Sequence, residues 1–150
     1  MGLEEQIKQK AFASEAQKAL VNINYTNGYL SSQLHSSLKE YAISVQQFNV
    51  LRIIKGQHPK PVSVNEVTTR MIDKMSNASR LVDKLFAKNL VLRTPCSYDK
   101  RQVDITLTDK GISLLDKLNK CVDEVISSHD KLTKVEFKQL NLLLDKLRNE

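Results

Sequence analysis

The sequence predicts a mainly α-helical chain with one small β-hairpin, an α+β domain in which helices carry the core. Three observations lead there. Residues 99–111, DKRQVDITLTDKG, join a charged turn to an alternating strand and then to a helix start. Ser44 with Gln47, Ser63 with Glu66 and Thr133 with Glu136 each place a hydroxyl three residues before Gln or Glu, which satisfies free amides reciprocally at a helix N-terminus. Outside the hairpin the apolar residues recur at three- and four-residue spacing instead of alternating.

From the N-terminus, MGLEEQIKQKAF is amphipathic and charged and lacks the apolar core of a signal peptide. No run approaches the roughly 18 apolar residues that span a bilayer, so a cytoplasmic location is expected and no membrane partner. From Ala16, the residues Leu20, Ile23, Leu30, Leu34, Leu38 and Tyr41 keep a helical phase. Asn27-Gly28 normally signals a turn, but Ile23 and Leu30 stay in register across it, so one bent helix is expected. Ser44 opens a core helix in which Phe48, Leu51 and Ile54, flanked by Val50 and Ile53, face inward. That helix should end at Gly56, before Pro59 and Pro61. Ser63 opens a short helix through Val67 to about Ile72, and a tight turn, Asp73 to Met75, follows. Ser76 then caps a third helix with Ala78, Val82, Leu85 and Phe86 inward. Asn89 tolerates a left-handed conformation at its end.

Leu90 to Pro95 forms the first hairpin strand, and in Gln102 to Leu107 the residues Val103, Ile105 and Leu107 mark one buried face. The connection, residues 96–101, is too long for a two-residue turn and ends in the cations Lys100 and Arg101, so it projects. Thr108 caps a helix whose apolar side is Leu114, Leu115, Leu118, Cys121, Val122, Val125 and Ile126. In the last helix Phe137, Leu140, Leu143, Leu144 and Leu147 make a stripe too wide for a solvent-facing terminal helix; another copy of the chain is the expected cover.

Helix, Pro-containing loop, helix, tight turn, helix and hairpin is the winged helix-turn-helix order. Residues 1–150 then form a single domain, with a winged lobe at 44–108 and a helical dimerisation region at 1–43 plus 109–150. Leu20, Ile23, Phe137, Leu140, Leu144 and Leu147 are the expected dimer contacts. Lys and Arg number 23 against 17 Asp and Glu, a formal charge of +6 that favours a polyanionic partner without proving one. The third helix of the lobe should present Ser76, Asn77, Ser79, Arg80 and Lys84 outward, near an N-terminus whose amides and dipole favour phosphate. Taken alone such a polar face is a solvated surface; beside a basic wing Arg80 becomes the base-edge candidate, because Arg pairs bidentately with guanine in the major groove. Its plainer alternative is an ion pair with Asp83 or Asp73.

With this order in place, the sequence resembles the MarR-type transcriptional regulators over nearly its whole length. The family's wing pattern is an Asp, any residue, an Arg, five residues, Leu-Thr, two residues and Gly; Asp99, Arg101, Leu107, Thr108 and Gly111 match it. QQFNVLR at 46–52, SRLVDKL at 79–85 and KNLVLR at 88–93 resemble the family's second helix, recognition helix and first wing strand. Two positions depart: Lys100 stands where many members have Arg, and Asn89 where Gly is usual before the strand. Lys keeps the charge but loses the planar fork, which weakens Lys100 as a specific groove contact.

The resemblance implies a homodimeric repressor that binds a palindromic duplex operator and leaves it when a small effector binds. It implies wing contacts from Arg93, Asp99, Lys100 and Arg101, with Arg101 entering the minor groove and Asp99 holding the tip. The alternative for Asp99 and Arg101 is an ordinary exposed turn pair worth little. In the family, small aromatic effectors bind in clefts between the dimer helices and the DNA-binding lobe, where Tyr25 and Tyr29 are candidates; core or interface tyrosines are the plainer alternative.

Cys96 and Cys121 have neither metal-site spacing nor the density of a disulfide scaffold and read as reduced thiols. Cys121 lies on an apolar helix face. Cys96 lies at the wing, where oxidation would disturb DNA contact, with Arg93 and Lys100 as the nearest cations in sequence. Redox-sensing members of the family place their reactive Cys near the N-terminal helix, and this sequence has none there. His35, His58 and His129 lack ligand spacing, so neither metal nor cofactor is expected. No Gly-rich phosphate loop, nucleophile elbow, HExxH pair or Cys-x-x-Cys is present, which disfavours an enzyme. Two alternatives remain: a redox-responsive regulator acting through Cys96, or a winged helix used for protein contact or a structural dimer, in which wing and recognition helix do not work together on duplex DNA.

Overall fold

The computed structural model of the protein describes residues 1–149. Its elements are α1 (Leu3–Ile7), α2 (Glu15–Leu38), a 3-10 turn (Lys39–Tyr41), α3 (Val45–Gln57), α4 (Val64–Arg70), α5 (Ala78–Ala87), β1 (Val91–Pro95), β2 (Val103–Leu107), α6 (Asp109–Ser128) and α7 (Lys134–Arg148). The chain is therefore mostly helical with one antiparallel hairpin. None of the described helices is long and apolar enough to cross a membrane.

The hydroxyl signals start the helices where the sequence places them. At Ser44, Ser63 and Thr133 the side chain accepts the amide three residues on, and Gln47, Glu66 and Glu136 reach back to the cap amide. Helix α2 runs unbroken across Asn27-Gly28. Near its start Lys18 forms an ion pair with Glu4, which fastens the short α1, with Leu3 buried, beside α2.

Helix α4 ends at Arg70, with Met71 as its C-cap, short of the expected Ile72, and two further boundaries differ from expectation. Helix α3 continues through Gly56 to Gln57, with His58 as its C-cap and no glycine at positive φ among the described residues, because the three-residue run before Pro59 leaves room for the last turn. Helix α5 is capped by Asn77, whose side chain accepts the Arg80 amide at 3.0 Å, and not by Ser76. Asp73 accounts for the shift: it accepts the Met75 amide on its side chain and the Ser76 amide on its carbonyl, so the turn is one residue longer.

The core lies between α3, α5, α6 and the hairpin. Leu51, Ile54, Val67, Leu85, Ile105 and Leu118 are among its fully buried side chains. The hairpin pairs Val91 with Leu107, Arg93 with Ile105 and Pro95 with Val103. Val62, before α4, exchanges two hydrogen bonds with Ile105 at 2.8 and 3.0 Å, which ties the hairpin to the helix-turn-helix. Val103 is more exposed than its alternation predicts, since it stands at the outer end of the pair, beyond the core.

Candidate nucleic-acid interface

Helix α5 buries Ala78, Val82 and Leu85 and turns Asn77, Ser79, Arg80 and Lys84 to solvent, while Ser76 is half-buried. Phe86, expected inward, is exposed instead. Four positions from Val82 and one past Leu85, it lies at the rim of the buried stripe, where Arg93 from β1 covers it. Arg80 forms no ion pair with Asp73 or Asp83. Asp73 is engaged in its own turn, and the Met75 amide it accepts, with Ser76 and Gln46 beside it, holds its carboxyl below the usual range. Arg80 and Lys84 border an open crevice of about 410 Å3 together with Ser44, Gln46, Ser76 and Asn77. Ser44 and Gln46 come from the first turn of α3, so this polar floor joins two elements that sequence spacing could not bring together.

At the wing, Asp99 shapes the tip. Its carboxylate accepts the Arg101 amide at 3.0 Å and the Gln102 side-chain amide at 3.2 Å, and its carbonyl accepts the Gln102 amide at 2.9 Å. A carboxylate that accepts local amides fixes a turn without help from a partner strand. Lys100 and Arg101 are left exposed, with no ion pair among the described residues. Arg93 is placed differently. Its guanidinium Nη1 donates to the Asp83 carboxylate at 2.5 Å, and its guanidinium carbon lies 4.1 Å from the centre of the Phe86 ring. Helix α5 and strand β1 therefore meet through a charged pair and a stacked ring.

The root of the wing is closed from the other side by α6. Thr108 caps that helix through the Gly111 amide and also donates its hydroxyl to the Asn89 carbonyl at 2.8 Å. Asn89 takes φ 58°, the left-handed conformation expected of it. Lys88 donates to the Ala42 carbonyl and Lys110 to the Lys88 carbonyl, so the end of α5 is bound both to the residue that closes the 3-10 turn after α2 and to α6.

Away from the lobe, Leu20, Ile23, Leu140 and Leu147 are exposed, and Phe137 and Leu144 half-buried. Helix α7 has no buried residue at all. Tyr25 and Tyr29 are partly exposed and line a crevice of about 430 Å3 against Met1, Leu3 and Gln6 of the N-terminal segment. The Tyr29 ring meets His129 edge to face at 5.4 Å. Cys96 and Cys121 are both free thiols. Cys121 Sγ lies 3.9 Å from the Tyr41 hydroxyl, which it holds above its ordinary pKa. Among the described residues no group of three or more His, Cys, Asp or Glu is placed to hold a metal ion.

The family described as Transcriptional regulator SarA/Rot matches residues 32–118, which span α3 to β2 with parts of the flanking helices. The HTH-type transcriptional regulator MgrA of Staphylococcus aureus is 32% identical over 121 residues, covering 81% of this chain and 78% of MgrA. Among solved structures, AbsC, a MarR family transcriptional regulator from Streptomyces coelicolor, superposes with a TM-score of 0.77 at 19% identity, covering 92% of this chain and 95% of AbsC. MepR of S. aureus in its DNA-binding conformation gives 0.73 at 20% identity, covering 86% of this chain and 95% of MepR. At those identities the structural likeness is one of fold. Fold and relatives together define a MarR-type winged-helix transcription regulator, and its relatives are regulators and not enzymes. The chain belongs to the SarA/Rot family of transcriptional regulators.

Proposed function

We propose that this regulator acts in the cytoplasm as a homodimeric repressor, binding a palindromic duplex operator and leaving it when a small effector binds. The observation that carries DNA binding is that one lobe presents two unpaired cationic groups at once, Arg80 with Lys84 on α5 and Lys100 with Arg101 on the wing. Two such elements suit a major groove and its neighbouring minor groove. In this reading Ser76, Asn77 and Ser79 hold phosphate near the α5 N-terminus, Arg80 reads a base edge, and Arg101 and Lys100 grip the flanking groove. The lobe is residues 44–108.

The dimer is supported by α7, which buries none of its leucines and leaves Leu140, Leu142, Leu143 and Leu147 exposed, and by the exposed Leu20 and Ile23 of α2. An isologous two-fold interface built from residues 1–43 and 109–150 covers both stripes at once. An effector that enters beside Tyr25 and Tyr29 would lie between α1 and α2, in the dimerising part, where it can alter the spacing of the two lobes. Mapping genomic binding sites and then competing the mapped duplex against an unrelated one tests the proposal. Specific recognition predicts a preference of about a thousandfold or more at physiological salt; equal affinities would leave only non-specific binding or none.

A further inference from the structure

We infer that Arg93 is a positioning residue, a cation that locks the wing to the recognition helix through Asp83 and Phe86 and does not itself touch DNA. The inference rests on the DNA-binding role proposed above. Register carries it. Directly opposed residues of an antiparallel pair share one face of the sheet, and Arg93 is opposed to the fully buried Ile105. Two residues earlier, Val91 is buried opposite Leu107. Arg93 thus continues the inward-facing row at the point where the core ends, and its guanidinium is turned toward α5 and away from the outer face of the wing.

There it meets two complementary groups. Asp83 supplies a carboxylate at 2.5 Å, and the Phe86 ring, 4.1 Å below the guanidinium carbon, supplies the face that a planar cation prefers. Both are exposed on α5: Asp83 lies on the side that carries Arg80 and Lys84, and Phe86 at the rim of the buried stripe. Without Arg93, the Asp83 carboxylate would stand uncompensated beside the groups proposed to meet phosphate. With it, α5 and β1 are held in one relative arrangement before DNA arrives, so wing and helix need not be ordered on binding.

The test uses the full-length protein with Arg93→Met, Arg93→Lys and Asp83→Asn, and has two arms. In the DNA-free arm, amide hydrogen exchange is followed at residues 91–95 and 83–87. Arg93→Met should speed exchange in both segments together, and Arg93→Lys, which keeps the charge but not the planar stack, should fall between it and the wild type. In the DNA arm, affinity for the mapped operator is measured against salt. Arg93→Met should lower operator affinity about two- to thirtyfold, the range an exposed pair plus one stacked cation supports, with an unchanged salt slope. In an Asp83→Asn background the same substitution should cost less. Unchanged exchange in every variant overturns the inference. So does a salt slope lowered by about one per subunit with equal losses on operator and unrelated duplex, the pattern of a direct phosphate contact. A wild type that binds no duplex removes the proposed function instead, and the exchange arm still decides whether Arg93 couples the two elements.

Discussion

Gly111→Ala places a methyl group where the fold has none to spare. A Cβ on Gly111 would lie 2.1 Å from the Leu90 carbonyl oxygen, 3.1 Å from its carbon and 3.4 Å from its Cα. The obstacle is backbone, and it is pinned: the same carbonyl accepts the Thr108 amide at 3.1 Å, and the Leu90 side chain is buried. Reaching an ordinary contact means moving the first turn of α6 off the root of the wing by about 1 Å, an overpacking that costs about 1–3 kcal/mol. Weakening the Thr108 bonds to Leu90 and Asn89 adds about 1 kcal/mol. The higher helix propensity of Ala returns about 1 kcal/mol, so the net loss is about 1–3 kcal/mol. Urea unfolding at fixed protein concentration should show a lower midpoint with an unchanged slope. Gly56→Ala is the control, since nothing lies within 4 Å of its added Cβ, and it should stabilise by about 0.5 kcal/mol. A Gly111→Ala protein as stable as the wild type would refute this account of the α6–wing contact.

The other expectations concern DNA, assembly and pH. Arg101→Ala should weaken binding to every duplex and flatten log affinity against log salt by about one unit per lost phosphate contact; an unchanged slope in a folded protein removes the wing from the mechanism. Arg80→Ala should cost about 1–3 kcal/mol at the operator and relax one position of each half-site in competition with single-base variants, whereas equal losses on all sequences would reassign it to phosphate. Leu140→Glu with Leu144→Glu should dissociate or unfold the dimer in sedimentation and lower operator affinity with Arg80 and Arg101 intact; a variant that stays dimeric and binds as before would move the interface elsewhere. Glu66 and Glu136 are held below the ordinary glutamate pKa of 4.5 by the backbone amides of Ser63 and Thr133. A depressed folded-state pKa stabilises above the unfolded value and is lost as pH falls through the folded value, so the effect belongs below about pH 4.5. Replacing both with Gln should shallow the loss of stability on acidification in urea midpoints; an identical pH dependence would show that these caps do not contribute.

Legibility followed range. Capping boxes are local, and Ser44, Ser63 and Thr133 start helices where their spacing says. The stripe from Leu20 to Leu38 is local too, and it outweighs the turn signal of Asn27-Gly28 because helical phase integrates over several turns while the dipeptide acts at one. The α5 cap moved from Ser76 to Asn77 because Asp73 closes its own turn, a competition between neighbouring acceptors that a single-residue preference does not resolve. Phe86 and Arg93 were hidden for another reason. Each belongs to a pattern that ends at the edge of the core, and their contact joins two elements. Strand parity did contain a hint, since Arg93 is two residues from the inward Val91, but its charge reads as surface. Likewise nothing local places Gln46 beside Arg80 and Lys84.

Footprinting of the mapped operator with purified protein tests dimeric recognition most directly. Two recognition helices related by a two-fold axis should protect two palindromic half-sites in successive major grooves, with centres roughly 34–36 Å apart. A single protected half-site, or protection without two-fold symmetry, would contradict it.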